Sequence, residues 1–356
     1  MKKIGIITFH RADNYGAVLQ VAALQRAIIQ MKYRCEILDY DAKIISQNYD
    51  VIIKTSVIQT IKSILSYRER KRKKQVFEEF RKNYMIISSP VVKENLGMIA
   101  EQYYKLITGS DQVWNYKLTA SDGAYFLNFV PDRRKKLSYA ASFGIGEIPT
   151  QKIDWYKANL IEFGHISVRE KTGVDLVKKI TGSTAVNDVD PVFLLGVNDW
   201  KYMMGARSES KKYVFCYMCD KMSAAYAQRL ASEKGLELIN LIYGKSYRNP
   251  ELNFGNCCID LSPGEFLSYM YYADYVVTGS FHATAFSIIF NKQFVVSIPD
   301  NVGSRITDLL DMTELKGRAL STGTDIEGEI DWERVNNIVA KARETSLKNL
   351  RESIEA

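Results

Sequence analysis

Short β-branched runs alternate with amphipathic stretches along this chain, and that rhythm admits few folds. Lys3 to Phe9 has strand character, Asn14 to Met31 helical periodicity, Cys35 to Tyr40 strand character again, and Val51 to Tyr84 helical periodicity. The alternation resumes with strand-like YYKLITGS (103–110), LSYAASFG (137–144) and HISVRE (165–170), with helices expected around Lys152 to Leu160 and Lys171 to Lys179. A strand–helix–strand repeat of this kind predicts an α/β fold built on a mostly parallel sheet. After DPVFLLG (190–196) a polar, lysine-rich stretch runs through GARSESKK (205–212), and a fresh series begins at Tyr213 to Met218. That series continues with a helix over Ala224 to Lys234, strands at Leu236 to Ile242 and near Cys257 to Leu261, a helix over Pro263 to Ala273, and strand Tyr275 to Thr278 leading into Phe281 to Phe290. At roughly 150 residues per domain, 356 residues accommodate two. The expected division is 1–200, then 201–330, with a charged helix in 331–356 returning to the first domain.

Composition narrows the class. With 46% apolar and 25% charged residues, and 7 prolines against 21 glycines, the chain is neither disordered nor fibrous. No segment approaches the roughly 20 uninterrupted apolar residues of a membrane span, and His10, Arg11 and Asp13 interrupt the first apolar run too early for a signal peptide. A cytoplasmic location is expected. The five cysteines are odd in number and dispersed, the usage of reduced thiols. Lys and Arg outnumber Asp and Glu by 48 to 41, for a net charge of +7, a mild excess that favours anionic partners. No recognition-helix, finger or aromatic RNA-binding pattern accompanies it, so phosphate-bearing ligands or a membrane surface are expected ahead of nucleic acid. The run RERKRKK, Arg68 to Lys74, follows a helical stretch with Val57, Ile58, Ile61, Ile64 and Leu65 on one side. It reads either as a solvated helix face or as a peripheral contact with the inner membrane surface.

Four segments place reactive side chains where a parallel sheet gathers ligands. The first strand runs into HRADNYGAVLQ, where Asp13 or Asn14 can cap a helix and Gly16 allows close backbone approach at its positive end. The alternative is an ordinary cap with a buried helix behind it. ITGSDQVWN (107–115) ends a strand in Gly109, Ser110 and Asp111, either as an edge site or as a capped turn with Trp114 in the core. SVREKTG (167–173) sets Arg169 between a strand and a helix, where it can grip a carboxylate or phosphate, or else pair with Glu170 or Asp190. VVTGSFHATAF (276–286) carries His282 in the first turn of an apolar helix with Ser280 and Thr284 beside it, which supplies an anion cradle and a proton carrier. His10 is a weaker candidate and His165 is not one. Cys216-Tyr-Met-Cys219 is expected to place its thiols on opposite strand faces, and Asp188-Val-Asp190 is too short a motif to specify a metal, so no metal site is predicted.

Taken in order, DNYGAVLQ, TGSDQVWN, SYAASFG, SVRE, VDPVFLL, ADYVVTGSFHATAFSIIFNKQF and SRITDLLD resemble the polysaccharide pyruvyl transferase family over most of the chain. The resemblance implies two Rossmann-like α/β domains in a GT-B-like arrangement with a cleft between them. It implies transfer of the pyruvyl group of phosphoenolpyruvate, as a cyclic ketal, onto a sugar of a cell-surface polysaccharide or its lipid-linked repeat unit. Phosphoenolpyruvate is then a co-substrate, and no cofactor is needed. By the same resemblance His282 is the acid/base, and Arg169 and Arg305 are candidates for the donor's carboxylate or phosphate. Ser280 and Thr284 stand near the phosphate, while Asn14, Gly16, Ser110 and Asp111 face the acceptor. This chain departs from a common family pattern, DSFHGT, in having Gly279 and Ala283, and has Gln293 where proline is frequent. Two other classes fit the same segments: a GT-B glycosyltransferase using a nucleotide sugar, and a non-catalytic two-lobed sugar-binding protein.

Overall fold

The computed structural model describes residues 2–242, 250–298, 303–320 and 328–356. The chain divides into two compact units: Met1–Tyr67 with Arg81–Leu195 and Lys341–Ala356, and Arg68–Phe80 with Gly196–Ala340. The change of unit at Leu195/Gly196 falls just before the polar stretch, and Arg68–Phe80 groups with the second unit although it lies early in the chain.

In the first unit, β1 (Lys3–Ile7), β2 (Arg34–Tyr40), β3 (Ile87–Val91), β4 (Lys105–Thr108) and β5 (Lys136–Ser138) form a parallel sheet in the order β3-β2-β1-β4-β5. The central strands are buried along nearly their whole length, as a parallel sheet covered on both faces requires. Helix α1 (Tyr15–Gln30) is buried at thirteen positions, which explains its apolar residues nearly all round. It is followed by α2 (Val57–Leu65), α3 (Tyr67–Tyr84), α4 (Ile153–Leu160) and α5 (Lys171–Thr181). The strand expected over 137–144 stops at Ser138, because Ala140 adopts the left-handed region at φ +46°. Beyond it the chain meets β6 (Ser167–Val168) through the Ala141–Val168 bridge, and β6 pairs with β7 (Val186–Asn187). The core beneath this edge is aromatic: Trp114 stacks on Phe126 at 5.3 Å and meets Phe143 and Phe163, and its indole N–H donates to the Tyr125 carbonyl.

The second unit repeats the plan. Strands β8 (Tyr213–Tyr217), β9 (Glu237–Leu241), β10 (Asn256–Cys258), β11 (Tyr275–Thr278) and β12 (Gln293–Val296) are parallel in the order β10-β9-β8-β11-β12. Its helices are α6 (Val197–Met203), α7 (Lys221–Lys234), α8 (Pro263–Tyr272), α9 (Phe281–Ile289) and α10 (Gly303–Met312). The last helix, α11 (Trp332–Glu355), runs from the second unit into the first. The two sheets therefore share one topology, in which strand order reverses between β1 and β4 and again between β8 and β11. Both fourth-position strands end in a threonine, Thr108 and Thr278, that is followed by Gly-Ser. The duplication lies in the order of pairing and has no fixed sequence period.

Candidate functional site

In parallel α/β sheets ligands gather at the carboxyl ends of strands where the order reverses, since the flanking loops part there. In the first unit that place is formed by the segments after β1 and β4. Asn14 caps α1 by accepting the Ala17 N–H at 3.1 Å, and Gly16 is buried in the helix's first turn. The loop before it is anchored by a buried ion pair between Asp13 and Arg81 at 2.7 Å. His10 is also buried, with one ring nitrogen facing the Thr8 carbonyl and the other 2.9 Å from Asp39, which Arg11 reaches as well. These partners make His10 a brace between β1 and β2.

After β4, Ser110 is fully buried and its hydroxyl donates to Asp190 at 3.2 Å. Arg169 reaches the same carboxylate oxygen at 2.5 Å, with its side chain only 3% exposed. The other Asp190 oxygen accepts the Val192 N–H. Burial works against the Arg169 charge, but Asp190, Glu170 and Asp111 outweigh it and hold the guanidinium pKa above its ordinary value. Through Nη1 Arg169 thus makes the buried pair with Asp190, the structural alternative to gripping a substrate anion. Its neighbour Glu170 accepts hydrogen bonds from the Ser142 hydroxyl and from the Phe143 and Gly144 amides, ordering the segment after β5. Asp111 differs from Ser110 in being half-buried, and it adopts a left-handed backbone at φ +76°, a strain that functional edges often carry. Asp188 is held by Ser167 and Asn349, so neither carboxylate of the Asp188-Val-Asp190 pair is arranged for a metal. Among the described residues no group of three or more His, Cys, Asp or Glu side chains could hold one.

In the second unit the corresponding place is the turn after β11. A Cβ on Gly279 would lie 2.6 Å from the Met218 carbonyl oxygen, so glycine alone fits where β8 and β11 end together. Thr278 donates to the Tyr217 carbonyl and accepts the Ser280 N–H, which sets the turn. Ser280 then caps α9, its oxygen facing the Ala283 N–H at 3.4 Å, and Ala283 is buried in the core. His282 is the second residue of α9 and partly exposed, its ring edge-on to Phe281. It stands beside the amide groups that a helix start leaves without intrahelical partners, in the positive end of the helix dipole. Helix α9 packs against α10, which carries half-buried Arg305 in its first turn. Thr284 is fully buried, and its hydroxyl donates to the Ser280 carbonyl one turn back.

Ser297 is a residue that sequence reasoning missed. It follows β12, lies beside Gly279, is 1% exposed, and its hydroxyl has no hydrogen-bond partner among the described residues. A buried hydroxyl left so costs about 1–3 kcal/mol, which a bound acceptor would offset. The only hint in the sequence is a serine close after a strand end, as at Ser110 and Ser280, which follow theirs by one intervening glycine. The paired cysteines also depart from expectation. Met218 turns left-handed at φ +54°, and Cys219 leaves the strand to donate to the Val277 carbonyl, while Cys216 stays buried in β8 with its thiol pKa raised by that burial.

The sequence matches the profile of the polysaccharide pyruvyl transferase family over residues 14–301. The chain belongs to that family. The pyruvyl transferase profile thus covers both switch points, the Ser110–Asp111 edge and the Ser280–His282 turn. No curated protein matches the chain. Among solved structures it is similar to the UDP-GlcNAc 2-epimerase from Neisseria meningitidis bound to UDP-GlcNAc, at 10% identity over 99% of each chain with a TM-score of 0.50. It is similar also to a putative UDP-N-acetylglucosamine 2-epimerase from Listeria monocytogenes, at 12% identity over 99% of this chain and 89% of that one, with a TM-score of 0.51. At such identity the likeness is one of fold, and it establishes the GT-B-like α/β class for this pyruvyl transferase family member.

Proposed function

We propose that this chain transfers the pyruvyl group of phosphoenolpyruvate to two hydroxyls of a sugar, in a cell-surface polysaccharide or its lipid-linked repeat unit, with release of phosphate. The observation that carries the reading is His282 in the first turn of α9, beside Ser280 and at the carboxyl end of the switch-point strand β11. Ketal formation needs a proton on the methylene carbon of the donor, relief of the cationic carbon so formed, and removal of protons from two acceptor hydroxyls. His282 is the proton carrier. The first-turn amides of α9, with Ser280 and Ser297, receive the phosphate, and Arg305 faces the donor's negative charge. One hydroxyl proton balances the proton delivered to the methylene, and the other leaves with phosphate. Asn14 and Asp111 contact the acceptor, while Ser110 and Arg169 hold the edge that presents them.

Calorimetric titration with phosphoenolpyruvate, beside UDP-GlcNAc as control, tests the donor. Saturable phosphoenolpyruvate binding is expected, weakened about tenfold in Arg305→Ala. His282→Ala is expected to bind within a few-fold of wild type yet to release phosphate, with an acceptor present, about a hundredfold or more slowly. Binding of UDP-GlcNAc with none of phosphoenolpyruvate would overturn the reading in favour of nucleotide-sugar chemistry.

A further inference from the structure

Helix α2 is built inside out. Its one buried residue is Ser63, at 2% exposure, while Val57, Ile58, Ile61, Ile64 and Leu65 are 54–76% exposed. At 100° per residue those five side chains fall within an arc of about 120°, the width of an apolar face that ordinarily turns to a core. The face turned to the protein is hydroxylic instead. Ser63 accepts the Ile53 N–H at 3.0 Å, and Thr60 donates to the Ile53 carbonyl at 2.9 Å. These bonds fix the helix's rotation against the segment that precedes it, with Ser63 buried beneath and the aliphatic stripe outward. Ser56 caps the helix through the Gln59 N–H, giving it a defined start.

Exposed aliphatic area of this size on one helix marks a surface that something covers, and the charges around it name the occupant. Lys54 and Lys62 flank the stripe, and three residues after it in sequence begins Arg68–Lys74, six of whose seven residues are cationic, Arg72 among them pairing with Asp260. Aliphatic side chains on one face with clustered Lys and Arg beside them are what an in-plane helix needs. The stripe enters the boundary between headgroups and acyl chains, and the cations meet the anionic surface. We propose that α2 seats this protein on an anionic lipid bilayer, lying in the membrane plane with Ile58, Ile61 and Leu65 inserted. The inference is independent of the reaction proposed above, although it would bring the enzyme to a lipid-linked acceptor.

Flotation of the full chain with phosphatidylcholine vesicles, and with vesicles containing phosphatidylglycerol as well, tests it. Binding to the anionic vesicles is expected, each nearby cation contributing about fivefold. It is expected to fall at about 1 M salt, where screening acts within about 3 Å. The double variant Ile61→Ser, Ile64→Ser, exposed at both sites and therefore folded by circular dichroism, is expected to bind about tenfold or more weakly. Absence of vesicle binding, or equal binding to neutral vesicles, would overturn the proposal. So would a concentration-dependent dimer in sedimentation velocity that the same double variant abolishes, which would assign the stripe to a second copy of the chain.

Discussion

Gly279 and Gly109 hold equivalent places in the two sheets, yet their surroundings differ in what they can yield. A Cβ on Gly279 meets the Met218 backbone carbonyl at 2.6 Å, whereas one on Gly109 meets side-chain atoms of Ile6 and Leu24 at 3.2 and 3.3 Å. Gly279→Ala is therefore expected to cost about 2–3 kcal/mol and Gly109→Ala about 1 kcal/mol, read from urea midpoints at constant slope. Arg169 invites a sharper division. As a buried partner of Asp190 it should cost about 3 kcal/mol when changed to alanine, because Asp190 would be left charged and enclosed. On the proposed function, in which Arg169 holds the edge after β4, phosphoenolpyruvate affinity of the folded variant is expected to stay within about twofold of wild type. A large loss of affinity at unchanged stability would restore the substrate-gripping role that SVRE suggests.

At the scale of elements, the helix starts were the most legible features, because a cap is written within four residues. Ser262 accepts the Glu265 N–H and Glu265 accepts the Ser262 N–H, as the spacing Ser262-Pro263-Gly264-Glu265 predicts. Ser262→Ala should lower stability by about 1 kcal/mol in chemical denaturation. Strand ends were less legible: nothing in LSYAASFG announces the left-handed Ala140 that stops β5. The link between β1 and β2 carries a pH signature. Burial alone would raise the Asp39 carboxyl, but hydrogen bonds from His10 and Arg11 outweigh it and bring the pKa down to about 2. The folded value lies below the unfolded one near 3.9, so this stabilisation is complete above about pH 4 and is lost as pH falls toward 2. Acid unfolding followed by circular dichroism should show that component, and Asp39→Asn should remove it while costing about 1 kcal/mol at neutral pH.

At the largest scale, the last helix closes the first unit. Arg343 donates to the Phe193 carbonyl, Ser346 accepts the Val189 N–H, Asn349 donates to Asp188, and Leu350 and Ile354 are buried. Removing Lys341–Ala356 is expected to leave the first unit open to proteolysis at temperatures where the full chain resists, and Asn349→Ala alone should cost about 1–2 kcal/mol. The sequence by itself determined the α/β class, most of the strands and helices though not the strands at 87–91, 186–187 and 293–296, the capped helix starts and the family. The family rests on the resemblance of an ordered series of motifs, and the rest on periodicity or on hydrogen bonds between residues a few positions apart. Only the tertiary structure decided that Arg169 belongs to Asp190, that Thr284 turns back on its own helix, that Ser297 stands beside Gly279, and that α2 faces outward. Those outcomes depend on which strand ends and side chains meet through space, and a carboxylate 21 residues from its arginine or a serine 17 residues from its turn leaves no local pattern to read.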